Sequence, residues 1–447
     1  MNITKISVKK LFGIFDHVIP LNEGGITIVI GENGLGKTVL LEATSAFFAE
    51  NFLFFRDLEF IQLTFQFEDQ SWEVTKSQTA DRLAIFVTRH FTARNSKPRS
   101  DKSEKPEKIV EIELSEKSST RNRYEYLREL ELLARLGAQS AVSDQRMFEY
   151  RRAAMQGILF DDDISLRGSK SRETPNWFKE ARKKISIRLI ETQRIITAKE
   201  RGGESYVNRV TKSAKELSEL IAEIDKAASQ TTTELDGTFP NRLVRKLRQG
   251  ATDSFEELNV ALSELDDRRK KLSSLGLLEV TADTDILRVD EGQRDLSSAL
   301  KLYIDDSHKK LAPYDAIASK LELFKGIVNK RFKHKELEVD RKSGFVFRST
   351  VKRDEKGRLE AIPALKLSSG EQNELILFYE LIFKSSEGDL IFIDEPEVSL
   401  HISWQNKFID DLKEITSINK VSIVIATHSP DIIGENWDLK VELKGVE

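Results

Sequence analysis

Hydrophobic positions along the chain follow two rhythms, and the change between them divides the sequence. Near the front, apolar and β-branched residues alternate with polar ones or form short runs. Ile3 to Lys9, Ile26 to Ile30, Ile61 to Phe67 and Trp72 to Thr75 each predict a strand. From about Arg121 to Phe332 the period lengthens to that of a helix. Val207, Val210, Ala214, Leu217, Ile221, Ile224 and Ala228 step by three and four residues without a miss, as the a/d seam of a coiled coil does. Phe255, Leu258, Leu262 and Leu265 repeat the rule, Arg269 breaks it and Leu272 resumes it. Turn residues lie between the two runs, in Leu235-Asp236-Gly237-Thr238-Phe239-Pro240, which predicts an antiparallel helical arm turning near there. A third helix, with Tyr314, Ile317, Leu321, Phe324 and Val328 on one face, leads back to a β-rich end.

Composition narrows this picture. The 447 residues exceed one ordinary domain, and 39% hydrophobic with 32% charged residues suits long solvated helices. Lys+Arg total 70 against Asp+Glu 74, a formal net charge of -4, so a nucleic-acid contact would have to be a local patch. Two patches qualify. The charged stretch from Ala93 to Lys108 reads as a mobile loop that either touches phosphate or is simply solvated, and the cluster Arg242, Arg245, Lys246 and Arg248 carries the same two readings. With no cysteine there is neither a disulfide nor a thiolate metal site. No apolar run is long enough to cross a bilayer and the N-terminus lacks a signal-peptide core, so a cytoplasmic protein is expected.

Candidate chemistry begins where the first buried strand ends. Ile26 to Ile30 runs into Gly31-Glu32-Asn33-Gly34-Leu35-Gly36-Lys37-Thr38, a complete G-x-x-x-x-G-K-T followed by a helical pattern. Backbone N–H groups of such a loop converge on an anion. Lys37 would reach the β- and γ-phosphates, and the Thr38 hydroxyl would hold Mg²⁺. Near the C-terminus, Leu390-Ile391-Phe392-Ile393 is a buried-strand run that delivers Asp394 and Glu395 to a sheet edge. Asp394 is placed to ligate Mg²⁺, and Glu395 to act as general base on the attacking water. Ser368, Ser369 and Gly370 open an apolar helix and form a second anion site. A strand from Val421 to Ala426 ends in Thr427-His428-Ser429-Pro430, which puts His428 where it can contact a γ-phosphate.

In this order, GENGLGKT, LSSGEQ, LIFIDEPEVSLH and ATHSP resemble the ATPase head of the ABC superfamily, in the RecF/Rad50/OLD-type branch that also holds the SMC proteins. The resemblance implies an α/β fold: an ABC-type P-loop NTPase head interrupted by a long helical, coiled-coil insertion. It implies ATP and Mg²⁺ as cofactors, with Asn33, Gly34, Gly36, Lys37 and Thr38 binding nucleotide. Ser368, Ser369 and Gly370 would then act in trans on the nucleotide of a second head, so that the protein works as at least a head-to-head dimer. Gln193, after the strand Ile185 to Ile190, resembles a Q-loop glutamine near Mg²⁺ and water; the alternative is a polar residue that ends a strand. His401 stands where transporters of the superfamily usually carry an aspartate. Zero cysteines exclude a zinc hook.

The expected domains are an N-terminal lobe over 1–115, an insertion over 116–335 with a strand near 185–193, and a C-terminal lobe over 336–447. LSSGEQNELILFYELIF, Trp404-Gln405 and KKLFGIFDHVIPLN further resemble stand-alone ATPases of bacterial anti-phage defence, of the Septu or PARIS type. That likeness implies a separate partner nuclease from the same operon. A RecF-like DNA-binding repair ATPase and an ATP-binding scaffold are the rival readings, with DNA a possible partner and the membrane not.

Overall fold

The computed structural model describes residues 1–22, 24–79, 81–91, 105–113, 174–190, 208–249, 254–279, 294–398 and 400–445. In chain order the elements are β1 (Ile3–Leu11), β2 (Phe15–Pro20), β3 (Ile26–Ile30), α1 (Lys37–Phe48), β4 (Gln62–Phe67), β5 (Gln70–Gln78), β6 (Arg82–Phe91), β7 (Glu107–Glu113), α2 (Asn176–Arg182) and β8 (Ile187–Ile190). Then come α3 (Arg209–Gln249), α4 (Phe255–Ser274), α5 (Arg294–Leu311), α6 (Asp315–Arg331), β9 (Lys335–Asp340), β10 (Gly344–Arg353), β11 (Leu359–Ile362) and α7 (Ser369–Phe383). The chain closes with β12 (Leu390–Asp394), α8 (Ile402–Asn419), β13 (Ser422–Ala426), α9 (Pro430–Ile433) and β14 (Lys440–Glu442). This is a mixed α/β protein. It divides into two compact units, one holding the described residues up to 190 and from 386 onward, the other those from 208 to 385. Residues 336–385 therefore group with the helices.

The first unit contains both sheet types. β14, β3, β13, β12 and β8 form an all-parallel five-stranded sheet in that order. Its central strands are ITIVI, LIFID and SIVIA, continuous apolar runs with almost every residue buried, as a sheet covered on both faces requires. A six-stranded antiparallel sheet, β2-β1-β4-β5-β6-β7, stands beside it in the same unit. Alternation in β4, QLTFQF, puts Leu63, Phe65 and Phe67 inward, where Phe65 stacks on Phe47 of α1. The expected strands at 3–9, 26–30, 61–67 and 72–75 are present; β2, β6 and β7 are additional. Glu107 and Lys108, expected at the end of a mobile loop, belong to β7. Glu107 accepts from Trp177 Nε1 at 2.8 Å and Lys108 pairs with Glu111 at 2.7 Å, so these charges are partnered on a strand rather than solvated in a loop.

In the second unit, a three-stranded antiparallel sheet, β11-β10-β9, packs with the helices. The a/d periodicity is real: Val210, Leu217, Ile221 and Ala228 are buried on α3, and Leu258, Leu262, Leu265 and Leu272 on α4. Val207 lies outside the described residues. Near its start the α3 seam faces β10 and α7 as well as helix, a packing the coiled-coil reading did not anticipate. Ala214 lies so close to Gly344 that a Cβ there would stand 1.8 Å from the Ala214 carbonyl oxygen.

The expected turn at 235–240 is absent, because α3 runs unbroken for 41 residues with Pro240 inside it. Pro240 offers no N–H to the preceding turn. Neighbouring bonds offset that loss: Arg242 donates to the Leu235 carbonyl at 2.7 Å and forks onto Asp306 of α5, while Lys310 reaches Asp236 at 2.7 Å. These pairs, with Tyr314 on Asp225, run α5 antiparallel to α3. Tertiary contacts override the local breaker, and Arg242 of the basic cluster is engaged in an ion pair. The Tyr314 hydroxyl donates to Asp225 at 2.8 Å and Arg341 pairs with the same carboxylate at 2.5 Å. Burial first, and the Asp225 carboxylate second, push the Tyr314 hydroxyl up to about 12.

Gly344→Ala combines a φ of +79° with a backbone clash; a loss of about 2–5 kcal/mol in denaturant unfolding is expected. Tyr314 donates only while protonated. Its contribution should be complete below about pH 10 and vanish as pH rises toward the raised value. Tyr314→Phe should therefore cost about 1 kcal/mol at neutral pH and nothing at strongly alkaline pH, read from the pH dependence of unfolding.

Candidate functional site

The parallel sheet assembles the site in the first unit. β3 ends at the glycine loop and α1 begins at Lys37, with Gly36 as the preceding cap at φ 83°. A side chain at Gly36 would come within 2.6 Å of Leu11 Cδ2 and would be strained at the positive φ, so glycine suits the close approach of the loop to β1. Lys37 is 7% exposed and its ammonium donates to the carbonyls of Gly31 at 2.6 Å and Glu32 at 3.0 Å, which folds the charge over the loop it serves. Asn33 and Gly34 stand exposed on the same loop.

Next to β3 in the sheet is β13, and beyond it β12, which brings in the acids. Asp394 is the last residue of β12, 1% exposed, and Thr38 donates its hydroxyl to Asp394 Oδ1 at 2.8 Å. One hydroxyl and one carboxylate oxygen, side by side at a phosphate loop, are hard donors of the kind Mg²⁺ takes. Among the described residues no group of three or more His, Cys, Asp or Glu could hold a metal by itself. A divalent ion here would draw on Thr38, Asp394 and the oxygens of the nucleotide. The residues fit both ATP and Mg²⁺.

Glu395 follows in the left-handed region, φ 44°, its N–H bonded to the Ala426 carbonyl at 2.8 Å. Such a conformation is strained for a residue with a side chain, and it turns the chain sharply off the strand end. His428, at the end of β13, presents Nδ1 to Glu397 at 3.0 Å and lies 4.0 Å from Glu395. The structure thus gathers Lys37, Thr38, Asp394, Glu395 and His428 at one sheet edge. Gln193 lies outside the described residues. His401 caps α8, its Nδ1 accepting from the Ser403 N–H at 3.3 Å.

Two residues in this unit escaped the sequence reading. Glu397 accepts from the Thr427 hydroxyl at 2.8 Å and from the His428 N–H at 3.1 Å, as well as facing the ring. His17 on β2 is 2% exposed and its Nε2 lies 2.7 Å from the Leu35 carbonyl, so Nε2 carries the hydrogen. In a trans peptide C=O and N–H point opposite ways; a Leu35 carbonyl held toward His17 aims the Gly36 N–H away from it. The alternation of FDHVIP, with Phe15, His17 and Ile19 inward, was the available signal.

Ser368, Ser369 and Gly370 belong to the second unit. Ser368 caps α7 in a reciprocal box with Glu371: its hydroxyl accepts from the Glu371 N–H at 3.3 Å, and its own N–H donates to the Glu371 carboxylate at 2.8 Å. Lys335 holds the same carboxylate at 2.6 Å and 2.7 Å. Burial alone would raise the pKa of Glu371; the Lys335 ammonium and the Ser368 donors outweigh it and hold the carboxyl below its ordinary value.

The AAA ATPase domain family matches residues 1–433. The thiamine import ATP-binding protein ThiQ of Ruegeria sp. (strain TM1040) is 33% identical over 75 residues, which is 17% of this chain and 31% of that protein. An SMC head bound to the C-winged helix domain of ScpA superposes with a TM-score of 0.34 at 11% identity, over 97% of this chain and 91% of that one. The SMC head domain from Thermotoga maritima gives 0.31 at 11% identity, over 100% of both chains. No helix among the described residues is long and apolar enough to cross a membrane.

Lys37→Ala is expected to abolish measurable binding of ATP while leaving the melting midpoint within a few degrees. Calorimetric titration checks this, and a variant that kept wild-type affinity would remove Lys37 from the site.

Proposed function

The chain belongs to the AAA ATPase domain family, and on that premise we propose that it binds ATP with Mg²⁺ and closes head to head with a second copy, restraining a separate nuclease in an anti-phage defence complex. The observation that carries the reading is the Thr38–Asp394 pair beside Lys37, which puts a cation site and a phosphate cradle in one place. Bound ATP supplies the electrophilic γ-phosphoryl group. Lys37 and the loop N–H groups hold the phosphates, and Thr38 and Asp394 hold Mg²⁺. Glu395 takes the proton of the attacking water, and His428 meets the γ-phosphate. Gln193 adds a polar contact near Mg²⁺.

In this reading the lobes 1–115 and 336–447 make one head, interrupted by 116–335. Ser368, Ser369 and Gly370 close on the nucleotide of the other copy. The capping box fixes where α7 begins and Lys335 balances the Glu371 charge there, which suits that role. Val398, 51% exposed, and Ile402, 67% exposed, flank the acids and are suited to burial against a second copy.

The test is the mass of the purified protein with ATP, alone and co-expressed with its operon neighbours, alongside Glu395→Gln. That variant should hydrolyse ATP at least about 100-fold more slowly and persist as an ATP-held dimer. A nuclease that co-purifies and becomes active when nucleotide is lost supports the defence role. Hydrolysis at the wild-type rate by Glu395→Gln sinks the general-base assignment, and a chain that ignores its neighbours but shifts onto duplex DNA with ATP favours a repair role.

A further inference from the structure

Two carboxylates flank the His428 ring, and the one the reaction would not use is the one that holds it. Glu397 has a side chain 8% exposed, against 35% for Glu395, and it sits 3.0 Å from Nδ1 where Glu395 is 4.0 Å away. At the shorter separation acid and ring pair more strongly as ions. Its Oε1 already accepts from the Thr427 hydroxyl and the His428 backbone N–H, and an acceptor oxygen so near Nδ1 favours the hydrogen on that nitrogen. With Nδ1 on the Glu397 side, Nε2 is the ring nitrogen left to face outward, on a side chain 49% exposed.

Glu397 Oε2 is buried and meets no hydrogen-bond donor among the described residues. Local geometry explains how the acid gets there. Glu395 turns the chain at φ 44°, Pro396 opens a short 3-10 turn, and the Glu397 side chain swings back under the end of β13. Gln405 fixes the same turn, donating to the Glu397 carbonyl at 3.4 Å and accepting from the Ser429 hydroxyl at 2.9 Å.

We propose that Glu397 is the positioning residue of His428: it pins Nδ1–H, selects the tautomer and aims Nε2 at the phosphate being cleaved. Resting on the reading of His428 as the γ-phosphate contact, the inference adds a second carboxylate with a role distinct from that of Glu395. The arrangement is a carboxylate–imidazole dyad in which the acid orients the ring and the ring touches the substrate.

A double-mutant cycle on the full-length protein tests it, using wild type, Glu397→Gln, His428→Ala and the double variant, with kcat and KM for ATP from multiple-turnover phosphate release. Glu397→Gln should lower kcat roughly 10- to 100-fold, the range for outer partners that orient a functional imidazole, with KM within about twofold of wild type. In the His428→Ala background the same change should move kcat less than about twofold. An equal loss in both backgrounds, or a wild-type kcat in Glu397→Gln, overturns the proposal. Turnover at the wild-type rate by His428→Ala instead overturns the assignment of His428 on which it rests. Should Glu397→Gln fail to fold, the ring nitrogens of His428 in the wild-type protein decide: ¹⁵N shifts are expected to show Nδ1 protonated, and a neutral ring protonated at Nε2 refutes the proposal.

Discussion

One hydrogen bond between residues 356 positions apart, Thr38 to Asp394, states the constraint on which the first unit depends. A threonine at a helix start and an aspartate at a strand end meet at 2.8 Å only if β3 and β12 lie in one parallel sheet, in register, with β13 between them. The pairing of Asp394 with Ala426, and of Ala426 with Val29, sets that register residue by residue. Three continuous apolar strands make it possible, since a parallel sheet covered on both faces tolerates few polar interruptions. Everything polar is thereby concentrated at one edge. Lys37, Thr38, Asp394, Glu395 and His428 are neighbours because the strands that deliver them must end together.

The same economy shapes the second unit. Packing of α3 on β10 needs a glycine at 344, and the α7 start needs Ser368, Glu371 and Lys335 acting as a set. Neither arrangement leaves a free choice of residue. A capping box alone would satisfy two backbone donors; the added ammonium neutralises the acid that would otherwise oppose an approaching anion.

Motif-bearing segments were legible because their chemistry is local. The glycine loop, the acidic strand and the strand ending in His428 each announce themselves within a dozen residues, and helix seams such as Ile317, Leu321, Phe324 and Val328 are written in a three-four period. What escaped depends on partners far along the chain. Glu397 reads as one more acid after a strand until Thr427 and His428, 30 and 31 positions on, are brought to it. His17 has its partner 18 positions away across a strand and a loop. The turn expected at 235–240 failed for a related reason. Gly237 and Pro240 are genuine breakers, but the bonds from Arg242 and Lys310 that keep α3 whole involve a helix some seventy positions later. Gln193 and the segment around it fall outside the described residues.

The unbroken α3 changes what small motions can accomplish. At 1.5 Å per residue, its 41 residues extend about 60 Å. Tilting such a rod by one degree about its first turns displaces its far end by roughly 1 Å. A rearrangement too slight to break a single contact at the base thus becomes a shift as long as a covalent bond at Gln249. A break at Pro240 would have absorbed that amplitude; a continuous helix transmits it.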